Sequence, residues 1–281
     1  MTAPPTSPAA SSPPSPGPPS TASASSSPAC SPAAPPPALH WLGLAACAAH
    51  RQDPGPPLGD ALFSAHAPLK ARALRAAGEL GRADLLPELR PELRSDDEAC
   101  RFWAAWSAAL FGEPASAQAL WSFASGAGPF AERAACMAMR RMDPGVAYTW
   151  LYALAGAARD PRVPVAAAAA LGDPAIVPWL LEGLRAPEAA RLAGGALTRI
   201  TGVDLVAEKL EAKAPDGFQA GPTEAPEDED VSMDPDESLP WPEPDAVAGW
   251  WRAHAGEFKR GTRYLLGKPI TPLRAPQRRW S

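Results

Sequence analysis

Apolar residues recur at helical spacing along most of this chain, and turn-forming residues interrupt them at regular intervals. The stretch LGDPAIVPWLLEGL, residues 171 to 184, places a Gly-Asp-Pro breaker directly before such a helical run. Equivalent breakers lie 30 to 31 residues apart along the chain: Gly81-Arg82-Ala83, Gly112-Glu113-Pro114, Met142-Asp143-Pro144 and Gly202. A constant interval of this length indicates a repeat architecture.

Each interval contains two helical patterns, an alanine-rich segment and then a segment with larger apolar residues. The alanine-rich segments consist of strong helix formers, and each has an arginine near its start. These arginines are Arg72, Arg101, Arg133, Arg162 and Arg191. Glycine supplies a left-handed cap after the first helix, and the Asp or Glu and Pro that follow suit the start of the second. The pattern predicts an all-α fold, an α-solenoid of four to five helix pairs.

The repeat sequence itself resembles a known class. The segment VAAAAALGDPAIVPWLLEGLRAPEAARLAGGALTRITG is similar to the short HEAT-like repeats also seen in phycobilin-lyase-type proteins, and the resemblance covers roughly residues 68 to 202. It implies an arc of HEAT-like helix pairs in which the arginine-bearing helices lie towards the concave side. Because such scaffolds carry many unrelated roles, the resemblance alone does not imply one activity.

The region after the repeats resembles an uncharacterised bacterial HEAT-repeat family, some of whose members are encoded near type VI secretion genes. The matching elements are Thr201-Gly202-Val203-Asp204, Leu239-Pro240-Trp241-Pro242, Trp250-Trp251, Phe258 and the segment from Gly261 to Gly267. The chain departs from the family pattern at its start, where a Pro/Ser tract replaces helical sequence, and after residue 270, where the family continues with more helix. The resemblance implies a type VI secretion setting.

Composition divides the chain into four segments. Residues 1–37 consist mainly of Pro, Ser and Ala, so we expect a disordered tract that acts as a linker, with a proline-rich ligand as the alternative. Residues 38–203 hold the HEAT-like repeats, and residues 204–238 form an acidic linker. Residues 239–281 form a Trp-rich helical segment with a basic tail, which we expect to cap the last repeat because a solenoid end exposes apolar surface.

The stretch from Glu224 to Glu237 contains eight carboxylates and no basic residue. It lacks the central glycine and the ligand spacing of a calcium loop, so we expect a solvated linker, with an interaction tail for a basic partner as the alternative. Basic residues gather from Arg252 onwards, and pairing between the two regions is the favoured interpretation. A partner-docking patch and a nucleic-acid site are the alternatives, but the net charge of −5 argues against nucleic acid.

Two series of side chains are candidates for binding a partner. Trp121, Trp150 and Trp179 recur at intervals of 29 residues, and packing between repeats is the competing interpretation. For the arginines, hydrogen bonds to Asp143 and Asp173 compete with an anion-binding role. The candidate partner-binding residues are Arg101, Arg133, Arg162, Arg191, Trp121, Trp150, Trp179, Trp250 and Trp251.

No group of residues in the sequence has the spacing of a catalytic, metal or cofactor site. The four histidines are isolated, and the four cysteines are scattered, which favours a reducing, cytoplasmic location. We expect Cys100 and Cys136 in the core, and no membrane span. The sequence therefore predicts a non-catalytic protein-binding scaffold or adaptor of open oligomeric state. The alternative is a lyase-type accessory protein that holds a prosthetic group.

Overall fold

A computed structural model describes residues 35–218 and 233–270. In these residues the chain forms twelve α-helices and one small β-hairpin. The helices are α1 Pro37–Ala49, α2 Pro56–Leu62, α3 Ala67–Glu79, α4 Leu86–Glu92, α5 Glu98–Leu110, α6 Ser116–Ala124, α7 Ala131–Arg141, α8 Pro144–Ala157, α9 Arg162–Leu171, α10 Val177–Gly183, α11 Pro187–Thr201 and α12 Pro244–His254. None of these helices combines the length and the apolar character needed to cross a bilayer.

The helices alternate between two layers, as expected for an α-solenoid. The odd-numbered helices form the first layer, in which α3 packs on α1 and α5, and α9 packs on α7 and α11. The even-numbered helices form the second layer and mainly contact the flanking first-layer helices. The predicted solenoid of HEAT-like helix pairs is confirmed.

The regular breakers of the sequence coincide with the helix ends. Gly81, Gly112, Gly172 and Gly202 all have positive φ angles, between 71° and 79°, which only glycine adopts without strain. The exception is the third breaker, where Met142 ends α7 in an extended conformation and Asp143 caps α8 by accepting a hydrogen bond from the Gly145 amide at 2.9 Å. Small residues fill the space between first-layer helices, and larger ones such as Phe102 fill the core between the layers.

After α11 the chain folds back over the end of the solenoid. Residues 210–212 and 241–243 run side by side, with the Ala212 amide donating to the Trp241 carbonyl at 2.8 Å and the Glu243 amide to the Leu210 carbonyl at 2.8 Å. Helix α12 then packs on α10, so it continues the second layer. A two-stranded antiparallel hairpin follows, β1 Tyr264–Leu265 and β2 Lys268–Pro269, in which Tyr264 pairs with Pro269.

This hairpin and the residues before it, 261–270, form what we call the C-terminal strap, which satisfies the free carbonyl groups at three first-layer helix ends. The Arg263 guanidinium donates to the Leu171 carbonyl at 2.9 Å and to the Met142 carbonyl. The Tyr264 amide donates to the Gly172 carbonyl, and the Leu266 amide to the Arg199 carbonyl, both at 2.7 Å. Since the last four carbonyls of a helix have no partner within it, the strap replaces water at those ends.

The C-terminal region from α12 to the strap packs on the solenoid with only some of its large apolar side chains. Tyr264 is buried, and Trp250, Trp251 and Phe258 are partly buried against the core. Leu265 and Leu266 are exposed, because this segment attaches through its backbone. Most of the Pro/Ser tract, the acidic residues from Glu224 to Asp230 and the basic residues Arg274, Arg278 and Arg279 lie outside the described residues.

Candidate partner-binding surface

Arg191 and Arg162, near the starts of α11 and α9, each bind one carboxylate from the segment that follows the repeats. Arg191 is buried, and its Nη1 lies 2.7 Å from Oδ2 of Asp234. Arg162 donates to both carboxylate oxygens of Asp236, one of them at 2.9 Å. We call residues 234–236 the Asp-Pro-Asp segment. Its two acidic side chains bind arginines on successive first-layer helices.

Aromatic rings and charge both support these contacts. The Arg191 guanidinium lies over the Trp241 ring, 4.7 Å from its centroid, and 5.3 Å from the centroid of Phe218. The hydrogen bond from Arg191 lowers the pKa of Asp234 below its ordinary value. The bond to Asp236 likewise raises the pKa of Arg162. An arginine held against aromatic rings therefore presents its donors to a carboxylate in a fixed direction.

These contacts correct three expectations from the sequence. The arginine series does not bind Asp143 or Asp173, because both carboxylates bind backbone amides instead, those of Gly145 for Asp143, and of Ala175 and Gly261 for Asp173. The Asp-Pro-Asp segment is not a solvated linker, since Asp236 is buried. Nor does this part of the acidic stretch pair with the basic residues that follow Arg252, since its partners are arginines of the repeats.

Arg133 and Arg101, the two remaining arginines of the predicted series, have different surroundings. Arg101 donates to the Ser95 carbonyl at 2.5 Å and so closes the turn before α5. Arg133 is exposed and lies over the Trp103 ring, 5.4 Å from its centroid. Arg75 of α3 lies over the same ring, at 4.5 Å. Among the described residues no carboxylate pairs with Arg133.

Next to Trp103, an open cleft of about 580 Å³ lies between α1, α3 and α5. We call it the Arg-Trp cleft. Its polar and aromatic lining residues are Arg51, Arg72, Arg75, Glu79 and Trp106, and its small and apolar ones are Ala45, Ala48, Ala49, Gly78 and Leu110. A cleft with apolar walls and a few charged groups is typical of a binding site.

Positive charge exceeds negative charge in the Arg-Trp cleft. Glu79 accepts hydrogen bonds from both Arg72 and Arg75, the latter from Nε at 2.7 Å, while Arg51 has no ion pair among the described residues. Arg72 is 8% exposed, and its Nε is buried without a hydrogen-bond partner in the described chain. Three guanidinium groups thus face one carboxylate, and the cleft favours an anion.

The two halves of this arginine surface are continuous. Arg133 belongs to α7 and Arg162 to α9, and these two first-layer helices pack against each other. We call the combined set the first-layer surface. It consists of Arg51, Arg72, Arg75, Trp103, Trp106, Arg133, Arg162 and Arg191.

Sequence reasoning missed four members of this surface: Arg51, Arg75, Trp103 and Trp106. A signal for three of them exists in the helical spacing. Arg75 follows Arg72 by three residues and precedes Glu79 by four, and Trp106 follows Trp103 by three, so each pair shares one side of its helix. Nothing in the local pattern indicates Arg51, which lies after α1.

The predicted tryptophans lie elsewhere, in the second layer and in the C-terminal region. Trp121 of α6 and Trp150 of α8 pack edge to face, with ring centroids 4.6 Å apart, and Trp179 packs against the core. Trp250 stacks on His254, and Trp251 packs beside Phe258. These five side chains are therefore separate from the arginines with which they were grouped as candidates.

The described thiols are poorly suited to chemistry. Cys100 is buried, and desolvation raises its pKa to about 12. Cys136 is partly buried, less than the core position expected for it, and desolvation raises its pKa to about 11. A thiol with such a pKa is a weak nucleophile at neutral pH. Among the described residues, no three His, Cys, Asp or Glu side chains lie close enough to hold a metal ion.

Comparison with known families gives a match over part of the chain. Residues 55–140 match the family model for HEAT repeats. This range begins just before α2 and ends within α7, so it includes most residues of the Arg-Trp cleft together with Trp103 and Arg133. No curated protein and no solved structure matches the chain significantly.

Proposed function

We propose that this protein is a non-catalytic scaffold or adaptor that binds another protein on its first-layer surface. One observation carries the proposal: the surface is occupied by the chain's own Asp-Pro-Asp segment at Arg162 and Arg191, and is open at Arg75 and Arg133, which lie over the buried ring of Trp103. HEAT repeats commonly serve as protein-interaction scaffolds, which supports the same interpretation.

The composition of the open half fits a protein partner. Arginine and tryptophan are enriched among the residues that contribute most to protein-protein binding. The Arg-Trp cleft is open, whereas a prosthetic group needs an enclosed site with converging polar groups. A partner that lies along several helices would bury the area typical of a stable complex.

The proposed function includes a cellular system and a compartment in which the adaptor acts. The resemblance of residues 191–205 and 239–270 to a bacterial HEAT-repeat family supports a role beside a type VI secretion system. Widely separated free thiols support a reducing compartment, the cytoplasm. We therefore expect the partner to be a cytoplasmic component of that system.

Site-specific cross-linking tests the proposal. A photoreactive amino acid replaces Trp106 in the full chain, and in a matched protein it replaces Tyr152, which is exposed on second-layer helix α8. After irradiation in a lysate of the source cells, we expect a defined protein to cross-link from position 106 and not from position 152. The same products from both positions, or none from position 106, would contradict binding at the first-layer surface.

A further inference from the structure

We propose that the open half of the first-layer surface binds an acidic, extended segment of the partner, with carboxylates that pair with Arg75 and Arg133 and enter the Arg-Trp cleft. This inference rests on the proposed function and specifies the chemistry of the partner. Three observations carry it: an acidic segment of the same chain that is bound to two arginines, a similar cluster of arginines on an aromatic ring in which Arg133 has no carboxylate among the described residues, and an excess of positive charge in the Arg-Trp cleft.

The bound example is the Asp-Pro-Asp segment. Asp234 and Asp236 are separated by one residue, and they bind arginines that belong to neighbouring first-layer helices. The amide of Asp236 also donates to Oδ1 of Asp234 at 2.9 Å, which fixes the two carboxylates relative to each other. Acidic residues at alternate positions can therefore follow the arginines of this solenoid from one helix to the next.

The equivalent arrangement lies at Trp103. At Arg191 a guanidinium rests on aromatic rings and its donors reach a carboxylate. At Trp103 two guanidinium groups, those of Arg75 and Arg133, rest on one ring. Arg75 shares Glu79 with Arg72, and Arg133 has no acidic partner among the described residues. The same recognition unit is present, and a carboxylate would complete it.

The excess charge is greatest where water is least able to screen it. Arg72 is almost fully buried, shares its carboxylate with Arg75, and has an Nε without a partner among the described residues. A buried charged donor without an acceptor is costly, so an added anion gains more here than on an open surface. The small and apolar walls at Ala45, Ala48 and Leu110 leave room for the side chains between the acidic residues.

A peptide-binding measurement tests the inference. The probe is a fluorescein-labelled peptide with the sequence of residues 227–237, EDEDVSMDPDE, and the control probe carries Asn and Gln in place of every Asp and Glu. With full-length protein, we expect the fluorescence anisotropy of the acidic probe alone to rise. Raising the salt concentration should weaken this binding, because the contacts are ionic and partly exposed.

Two variants with the same change in charge locate the site. Arg75→Gln combined with Arg133→Gln keeps the Arg72–Glu79 pair, and should weaken binding of the probe by about tenfold or more. Arg94→Gln together with Arg252→Gln removes two exposed arginines outside the first-layer surface, and should change the affinity by less than about twofold. Circular dichroism confirms that both variants are folded.

Other outcomes overturn the inference. If the acidic probe does not bind, or if it binds the Arg75/Arg133 variant as well as the wild type, the open half does not recognise acidic segments. If Arg162→Gln with Arg191→Gln abolishes binding and the Arg75/Arg133 variant does not, the probe binds the half that is already occupied. A protein that still cross-links from position 106 in these cases would leave the proposed function standing and only the acidic partner rejected.

Discussion

The two halves of the first-layer surface are built from the same kind of helix, yet one is covered and the other is open. Over α9 and α11, Arg162 and Arg191 are held by acidic side chains that come later in the same chain. Over α3 to α7, Arg75 and Arg133 contact only Trp103 and local groups. Arginines of the first layer therefore serve folding where a carboxylate from later in the chain reaches them, whereas Arg133 is exposed and has no acidic partner among the described residues.

The C-terminal repeats and the N-terminal helix α1 differ in the same way, since the first are covered by a later segment and the second is not. The C-terminal strap saturates the carbonyl groups at the ends of α7, α9 and α11. At the other end, α1 leaves Leu39, Trp41 and Leu42 exposed. Each repeat needs a neighbour to bury its apolar side. We therefore expect the C-terminal half to depend on its covering segments and the N-terminal half to tolerate change.

The largest expected effect comes from glycines at equivalent helix ends. A Cβ at Gly202 would lie 2.7 Å from the Leu266 carbonyl carbon, and the φ angle is +77°, so Gly202→Ala should lower the free energy of unfolding by about 3 kcal/mol or more. Gly81 has a similar φ but open space around it, and Gly81→Ala should cost roughly 1–2 kcal/mol. Urea denaturation followed by circular dichroism measures both. Equal losses would mean that the strap does not approach α11 closely in solution.

A smaller effect is expected from the carboxylate that covers α9. Asp236 is buried and accepts two hydrogen bonds from Arg162, so Asp236→Asn should lower the free energy of unfolding by about 1–2 kcal/mol. The matched control is Asp245→Asn, which removes the exposed pair with Arg185 and should leave stability unchanged within error. Urea denaturation compares the two variants with the wild type. A loss in the control as large as that in Asp236→Asn would show that burial of the Asp-Pro-Asp segment contributes nothing.

The pH dependence of the free energy of unfolding should reveal the contribution of the Asp234 carboxylate. Its pKa lies below the ordinary value of 3.8, because Arg191 hydrogen-bonds the ionised form. The stabilisation is therefore fully present above pH 3.8, and it is lost as the pH falls through the folded-state pKa. The difference in unfolding free energy between the wild type and Asp234→Asn should stay constant from pH 7 to about pH 4 and shrink below it. A difference that grows on acidification would contradict the assigned direction.

The last prediction concerns reactivity and not stability, at the thiols of Cys100 and Cys136 in the first layer. With Cys30 and Cys47 changed to Ser, iodoacetamide should label Cys136 about a hundredfold more slowly at pH 8 than in the unfolded chain, because its pKa is about 11 rather than 9.0. Cys100, with a pKa of about 12, should react more slowly still. Mass spectrometry of the labelled protein measures both rates. Faster labelling of Cys100 would indicate that α3 and α5 separate readily, because the Cys100 thiol lies against the Ala67 carbonyl of α3.

The sequence predicted the features that depend on local chemistry. Glycine at the helix ends and the alanine-rich helices before them follow from backbone conformation and helix propensity, so the fold class and the repeat interval could be obtained without coordinates. The acidic partners of the arginines could not be obtained in this way. Arg162 binds a carboxylate 74 residues later, and nothing in the local pattern distinguishes Asp236 from the other acidic residues of the chain. Trp103 was overlooked because it does not follow the 29-residue interval of the other tryptophans.

The Arg263 contacts have a consequence for the order of folding. This side chain binds the carbonyl of Met142, 121 positions earlier, whereas a typical contact between N-terminal repeats, such as Ser107 with Leu74, spans 33. Contacts over long sequence separations form slowly, because more chain must be ordered to close them. During synthesis on the ribosome, the N-terminal repeats can therefore reach their final structure one after another. The ends of α7 and α9 acquire their last hydrogen bonds only when residue 263 has left the exit tunnel.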